Sequence, residues 1–176
     1  MTFYKRSPVQ SKAPLTLSEA KKKLMDFVAR RDHTEKELRK KLSLRCEAGI
    51  VNKALHWAQE QKWLVPPDKL KTQFAKQLAR RGKGIRKINQ KLKELGLEAV
   101  KSDKSVELVK AKKLVLAKWS ADDFAGLDYK ESQKLKARIM RFLITRGYET
   151  DIISLILKSE FKKSVSTGED NHDDEF

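Results

Sequence analysis

The chain has 176 residues, room for one ordinary domain or a short array of smaller ones. Its 40 Lys and Arg outnumber 24 Asp and Glu, giving a formal net charge of +16, which predicts a polyanionic partner: nucleic acid, an acidic protein surface or an anionic membrane. No run of 18 apolar residues is present to cross a bilayer, residues 1–14 lack the apolar run of a secretory signal, and the single Cys46 excludes an intramolecular disulfide, so a soluble cytoplasmic protein is expected.

Thr16 and Glu19 have capping-box spacing, and Ala20, Leu24, Phe27 and Val28 behind them share one helical face. Thr34 and Glu37 repeat the signal ahead of a second helix that buries Leu38 and Leu42. A third helix carries Ile50, Val51, Ala54, Leu55 and Ala58 on one side and ends near Trp63 and Leu64. Pro66-Pro67-Asp68 then closes one element and caps the next. No proline follows, and stretches rich in Lys, Leu, Ala and Glu favour helix, because these side chains lose little rotamer freedom there. Leu70, Phe74, Ala75 and Leu78 form one stripe; Ile85, Ile88, Leu92 and Leu95 form another, closed by Gly96.

A Lys-rich helix is expected over about 103–118 and a turn over 119–128. Leu135, Ile139, Phe142 and Leu143 mark a further helix that breaks at Gly147, and Ile153, Ile156 and Leu157 mark the last. No stretch alternates apolar and polar residues for long enough to read as a strand. Residues 1–15 read as a flexible basic arm and residues 164–176 as a disordered acidic tail. Five acids fall in the last eight residues, so residues 1–168 set 40 basic side chains against 19 acidic ones, a net +21. Solvated disorder accounts for the tail; folding back to compete with a polyanion is the alternative.

Three segments share one frame: Val28–Leu42, Leu78–Leu92 and Leu143–Leu157. Its first position is aliphatic (Val28, Leu78, Leu143), its fourth is arginine (Arg31, Arg81, Arg146) and its fifth is a turn-former (Asp32, Gly82, Gly147). The eleventh holds Leu38, Ile88 and Ile153, and the fifteenth Leu42, Leu92 and Leu157. Each frame is the end of one helix, a tight turn and the start of a second. A two- or three-helix unit of this size cannot bury both faces of its helices alone, and stacking such units gives an elongated, curved array. Spacings of 50 and then 65 residues, with an insert around 119–128, argue against a strict solenoid.

Over roughly Leu17 to Leu157 these copies resemble the RecX family. The segment from Ala29 to Leu38 resembles its "R-x-H-S/T-x-x-E-L" opening. Phe74 through Arg81-Gly82-Lys83-Gly84-Ile85-Arg86-Lys87-Ile88 to Leu92 and Leu95-Gly96-Leu97 resembles "G-x-x-R-I-x-x-x-L…G-I". The third, Arg141-Phe142-Leu143-Ile144-Thr145-Arg146-Gly147-Tyr148 with Ile152-Ile153, resembles "FL-x-R-G-F/Y…I". Trp63-Leu64-Val65-Pro66-Pro67-Asp68 departs from the family's usual Leu-Asp-Asp-type link. The resemblance implies an all-α fold of tandem three-helix, helix-turn-helix-like repeats, with boundaries here at 16–65, 66–107 and 108–163. It also implies a regulator rather than an enzyme, which binds RecA and RecA–DNA filaments and restrains RecA ATPase, strand exchange and coprotease activity in recombination and SOS repair. A monomer is expected, with single- or double-stranded DNA as a direct partner and no membrane.

The densest basic cluster is Arg80, Arg81, Lys83, Arg86 and Lys87, with Lys76 one turn earlier. Gly82 and Gly84 permit close backbone approach, and a helix starting near Ile85 offers N–H groups to an anion. The expectation is a contact with DNA phosphate or an acidic RecA surface; the alternative is a solvated helix end. Arg30, Lys36, Arg39, Lys40 and Lys41 form a second candidate surface. The repeated Arg31, Arg81 and Arg146 are expected to bond the last carbonyls of their own helices.

No metal or cofactor is expected. His33 lacks ligand partners at metal spacing and reads as a turn residue, and Cys46 as a small buried one. Gly82-Lys83-Gly84 lacks the spacing of a nucleotide-binding loop, and Asp122-Asp123 belongs to a turn. Trp57, Trp63 and Trp119 read as core. The rival to a RecA regulator is a stand-alone helix-turn-helix DNA-binding protein, although no single reading helix with a dimerisation partner is recognisable.

Overall fold

The structure, a computed structural model, describes residues 13–166, and every regular element among them is helical. In chain order these are α1 (Leu17–Arg30), α2 (Glu35–Leu42), α3 (Ala48–Glu60), α4 (Pro67–Arg80), α5 (Ile85–Glu94), α6 (Lys104–Leu116), a 3₁₀ turn over Ala121–Phe124, α7 (Tyr129–Arg146) and α8 (Thr150–Ser166). The all-α class expected from the sequence is the class found. The chain divides into two compact units between Leu70 and Lys71.

In the first unit, both expected capping boxes form. The Thr16 N–H donates to the Glu19 carboxylate at 2.9 Å and the Glu19 N–H donates back to the Thr16 hydroxyl at 3.4 Å; Thr34 and Glu37 do the same at 3.1 and 3.2 Å. Leu15, just ahead of the first cap, is buried together with Ala20, the arrangement of a hydrophobic staple. Its N–H donates to the Arg45 carbonyl at 2.8 Å, so the expected flexible arm ends inside the core rather than beyond it. The rest of that arm, residues 1–12, and residues 167–176 of the acidic tail lie outside the described residues. α1 packs against α2 and α3, and Leu24, Leu38, Leu42, Val51 and Leu55 meet at their centre.

α3 stops at Glu60 because the chain turns over through Lys62, held at φ 55°, with Trp63 N–H returning to the Ala58 carbonyl at 3.1 Å. This turn carries Trp63 to the surface, 40% exposed and edge-on to a half-buried Trp57 at 4.9 Å. Of the three tryptophans expected in the core, only Trp119 is fully enclosed, edge-on to Phe142 at 5.2 Å. Pro67 occupies the first position of α4, where a missing N–H costs nothing. Of the α4 stripe, only Leu70 is fully buried; Phe74, Ala75 and Leu78 are half-buried.

In the second unit, α5 buries Ile88 and Leu92, and Gly96 turns the chain at φ 75°. α6 and α7 both pack on α8 around Val115, Ile139, Leu143, Tyr148, Ile153 and Ile156. Gly147 ends α7 in the left-handed conformation at φ 85°. α6 begins at Lys104, so the boundary expected at 107/108 cuts its first turn. α8 continues to Ser166 and so takes in the first three residues of the expected tail.

Candidate functional site

The densest basic cluster lies where α4 turns into α5. Gly82, at φ 70°, closes α4: its N–H reaches the Ala79 carbonyl at 2.9 Å, and the Lys83 N–H reaches the Leu78 carbonyl at 3.1 Å. The turn thereby brings Arg80, Arg81 and Lys83 to one end of α5, beside Arg86 and Lys87. Lys76, Arg80, Arg81, Arg86 and Lys87 are exposed, and Lys83 is half-buried. Lys87 donates to the Gln90 side chain at 3.1 Å. The side chains of Lys76, Arg80, Arg81, Lys83 and Arg86 make no hydrogen bond or ion pair with other described residues. Uncompensated cations on one turn are an electrostatic footprint for an anion.

The backbone at this turn does something other than expected. Gly84 donates its N–H to the Arg146 carbonyl at 2.9 Å, Arg86 donates to the Gly147 carbonyl at 3.1 Å, and Ile85 donates to the Glu107 carboxylate at 3.0 Å. The first amides of α5 are therefore consumed by the end of α7 and by the first turn of α6, and are not available to an external anion. The close approach permitted by glycine is likewise internal. A Cβ on Gly84 would lie 2.5 Å from the Gly147 carbonyl oxygen, and one on Gly147 would lie 2.5 Å from the Lys87 backbone nitrogen. Any anion at this cluster is held by side chains alone.

Glu107, which caps Ile85, is buried; it also accepts from the Ser102 hydroxyl at 3.2 Å and pairs with Lys110. The Tyr148 ring lies in the same core with its hydroxyl buried, and burial, followed by the charge of Glu107, pushes its pKa up to about 12. This polar cluster serves packing between α5, α6 and the α7–α8 turn.

The second candidate surface is partly neutralised. Arg39 pairs with Glu35 at 2.9 Å, and Lys41 donates to His33 at 2.7 Å while lying over the Phe27 ring at 4.7 Å. Arg30, Lys36 and Lys40 are exposed on the same unit. The repeated arginines also depart from the expected role. Arg31 follows the last turn of α1, bonding the Asp32 carbonyl and the Glu37 carboxylate, each at 2.9 Å; Arg146 stacks on Phe142 at 4.4 Å; Arg81 extends into solvent. Neither the Arg31 nor the Arg146 side chain bonds the last carbonyls of its own helix, because each finds a carboxylate or an aromatic face close by.

A further set of cations was not singled out in the sequence. Lys130, Lys134, Arg138 and Arg141 on α7 are all exposed. Their signal is spacing rather than density: i, i+4, i+8 and i+11 on one helix, with no Asp or Glu from Ser132 to Tyr148.

Among the described residues no helix is long and apolar enough to cross a membrane, and no group of three or more His, Cys, Asp or Glu is placed to hold a metal ion. Three-helix packing in both units, short helix-turn-helix frames and surplus cations define a basic, tandem-repeat helical protein. Residues 20–57 match the family description "RecX, first three-helix domain", and residues 107–157 match "RecX, third three-helix domain". The chain belongs to the RecX family of regulatory proteins. Regulatory protein RecX of Salmonella paratyphi B is 26% identical over 161 residues, covering 83% of this chain and 96% of that protein. Its counterpart in Cronobacter sakazakii is 25% identical over 146 residues, covering 77% and 88%. The crystal structure of RecX from Lactobacillus salivarius superimposes with a TM-score of 0.64 at 17% identity, over 82% of this chain and 96% of that one.

Proposed function

We propose that this protein binds RecA and RecA–DNA filaments and restrains RecA ATPase, strand exchange and coprotease activity in recombination and SOS repair. It acts in the cytoplasm by occupancy rather than by catalysis. The observation that carries the reading is the match of the first and the third three-helix domain to one regulatory family, each in its expected order. The uncompensated side chains of Arg80, Arg81, Lys83 and Arg86 supply a surface suited to DNA phosphate or to an acidic face of RecA.

The test is RecA ATP hydrolysis on single-stranded DNA in the presence of a variant with Arg81→Glu, Lys83→Glu, Arg86→Glu and Lys87→Glu. The half-inhibitory concentration should rise about tenfold or more while helicity is retained, because like charge now faces the anionic partner. A folded variant that inhibits as the unmodified protein does removes this turn from the contact.

A further inference from the structure

We propose that the outer face of α7 holds the phosphodiester backbone of nucleic acid through Lys130, Lys134, Arg138 and Arg141, with Tyr129 stacking on a base where the strand is single. At 3.6 residues per turn the four cations fall within about 80° of one another, and at 1.5 Å per residue they run for about 16 Å. The opposite face carries Leu135, Ile139 and Leu143 into the core, so the fold itself makes no use of the cationic side. On other helices several cations are paired with acids, among them Arg39 with Glu35, Lys91 with Glu94, Lys110 with Glu107 and Lys112 with Glu160, and the unpaired ones at the α4–α5 turn are clustered rather than aligned along one helix.

α7 is built differently. Its one acid, Glu131, is committed to the capping box with Asp128, accepting from the Asp128 N–H at 3.3 Å. Among the described residues Lys130, Lys134 and Arg138 have no hydrogen-bond or ion-pair partner, and Arg141 uses only Nε, on the Ala137 carbonyl at 3.2 Å. Like charges at i, i+4 repel and weaken a helix. A row kept against that repulsion, on a side the core does not need, is matched to an anion outside the protein.

Two features choose the anion. Charges spaced every turn along a straight rod suit a polymer with regularly spaced charges better than a single acidic group. Tyr129, the first residue of α7 and 81% exposed, places an aromatic ring at the end of the row, the pairing of cations and stacking platform that single-stranded nucleic acid uses. A membrane surface would require a broad apolar face beside the cations, whereas α7 buries Leu135, Ile139 and Leu143 and exposes two large aliphatic side chains, Met140 and Ile144, on that flank.

The proposal is tested on the full chain without RecA, by fluorescence anisotropy with a labelled oligo-dT and a duplex of equal length across a salt series, so its failure is separate from failure of the RecA reading. Replacing Lys130, Lys134, Arg138 and Arg141 with Gln should lower the slope of log K against log salt by about 3 on oligo-dT. The same variant should bind at least about tenfold more weakly at low salt, and its melting temperature should be unchanged or raised as the repulsion is removed. Lys134→Gln with Arg138→Gln, two exposed mid-helix changes, should give about half that slope change and keeps the test open if the quadruple variant does not fold. Tyr129→Ala should weaken oligo-dT binding about fivefold or more and leave duplex binding unchanged. Unmodified affinity and slope in the folded variants would overturn the proposal. So would stripe-dependent binding to phosphatidylserine vesicles that exceeds binding to oligonucleotide.

Discussion

His33 sits in the turn between α1 and α2 with 4% of its surface exposed. Its Nδ1 contacts the Arg31 carbonyl at 2.8 Å and its Nε2 contacts the Lys41 ammonium at 2.7 Å. A carbonyl only accepts and an ammonium only donates, so the ring is neutral with its proton on Nδ1. Burial holds its pKa below the ordinary 6.5, against the opposing hydrogen bond to Arg31. The unfolded chain therefore takes up the proton more readily than the folded one. The stability this residue contributes is complete above pH 6.5 and is lost as pH falls through 6.5 towards the lower folded-state value. Urea midpoints should decline over that window, and His33→Gln should flatten the decline. Tyr148 poses the opposite case, a buried hydroxyl without a hydrogen-bond partner among the described residues. Tyr148→Phe should leave the denaturation midpoint unchanged or stabilise by up to about 1 kcal/mol, because no bond is lost and an unpaired polar atom is removed. A clear loss would assign that hydroxyl a partner.

At the scale of elements, the glycines separate into those that hold helices together and those that do not. Gly147 combines φ 85° with backbone of Lys87 where a Cβ would go, so Gly147→Ala should cost about 2–4 kcal/mol, read from denaturant unfolding. Gly49, in the first turn of α3, has open space around its Cβ position; Gly49→Ala should instead stabilise by about 0.5–1 kcal/mol. Helix positions were legible in the sequence because their causes are local: Thr16 with Glu19, Thr34 with Glu37 and the stripe Leu135, Ile139, Leu143 all act within a few turns. What satisfies the start of α5 was not legible. Gly84 suggested an opening for an anion, and the groups that fill it, Glu107 and the carbonyls of Arg146 and Gly147, are distant in sequence. The cationic face of α7 was readable in principle, but it emerges from helical angle and not from local density of charge. The turn at Arg81–Lys87, by contrast, concentrates its charge within seven residues and is visible without any helical geometry.

For the molecule as a whole, a net charge of +16 makes attraction to any polyanion expected and makes salt the informative variable. Binding to bare DNA should fall steeply between about 50 and 200 mM salt. If the protein recognises the filament, inhibition of RecA should persist at concentrations of salt that abolish binding to bare DNA. Parallel loss of both, with preference for one DNA sequence, would favour the stand-alone DNA-binding reading. Family membership was legible because three copies of one frame occur in order, whereas no single copy carried it. The junction of Gly84 with Gly147 has a consequence in time. Synthesis runs from the N-terminus, and Gly84 is made 62 residues before Arg146, whose carbonyl accepts its N–H. The first unit can close on the ribosome from its own residues, while α5 must wait with unbonded amides until α7 has been translated to its end.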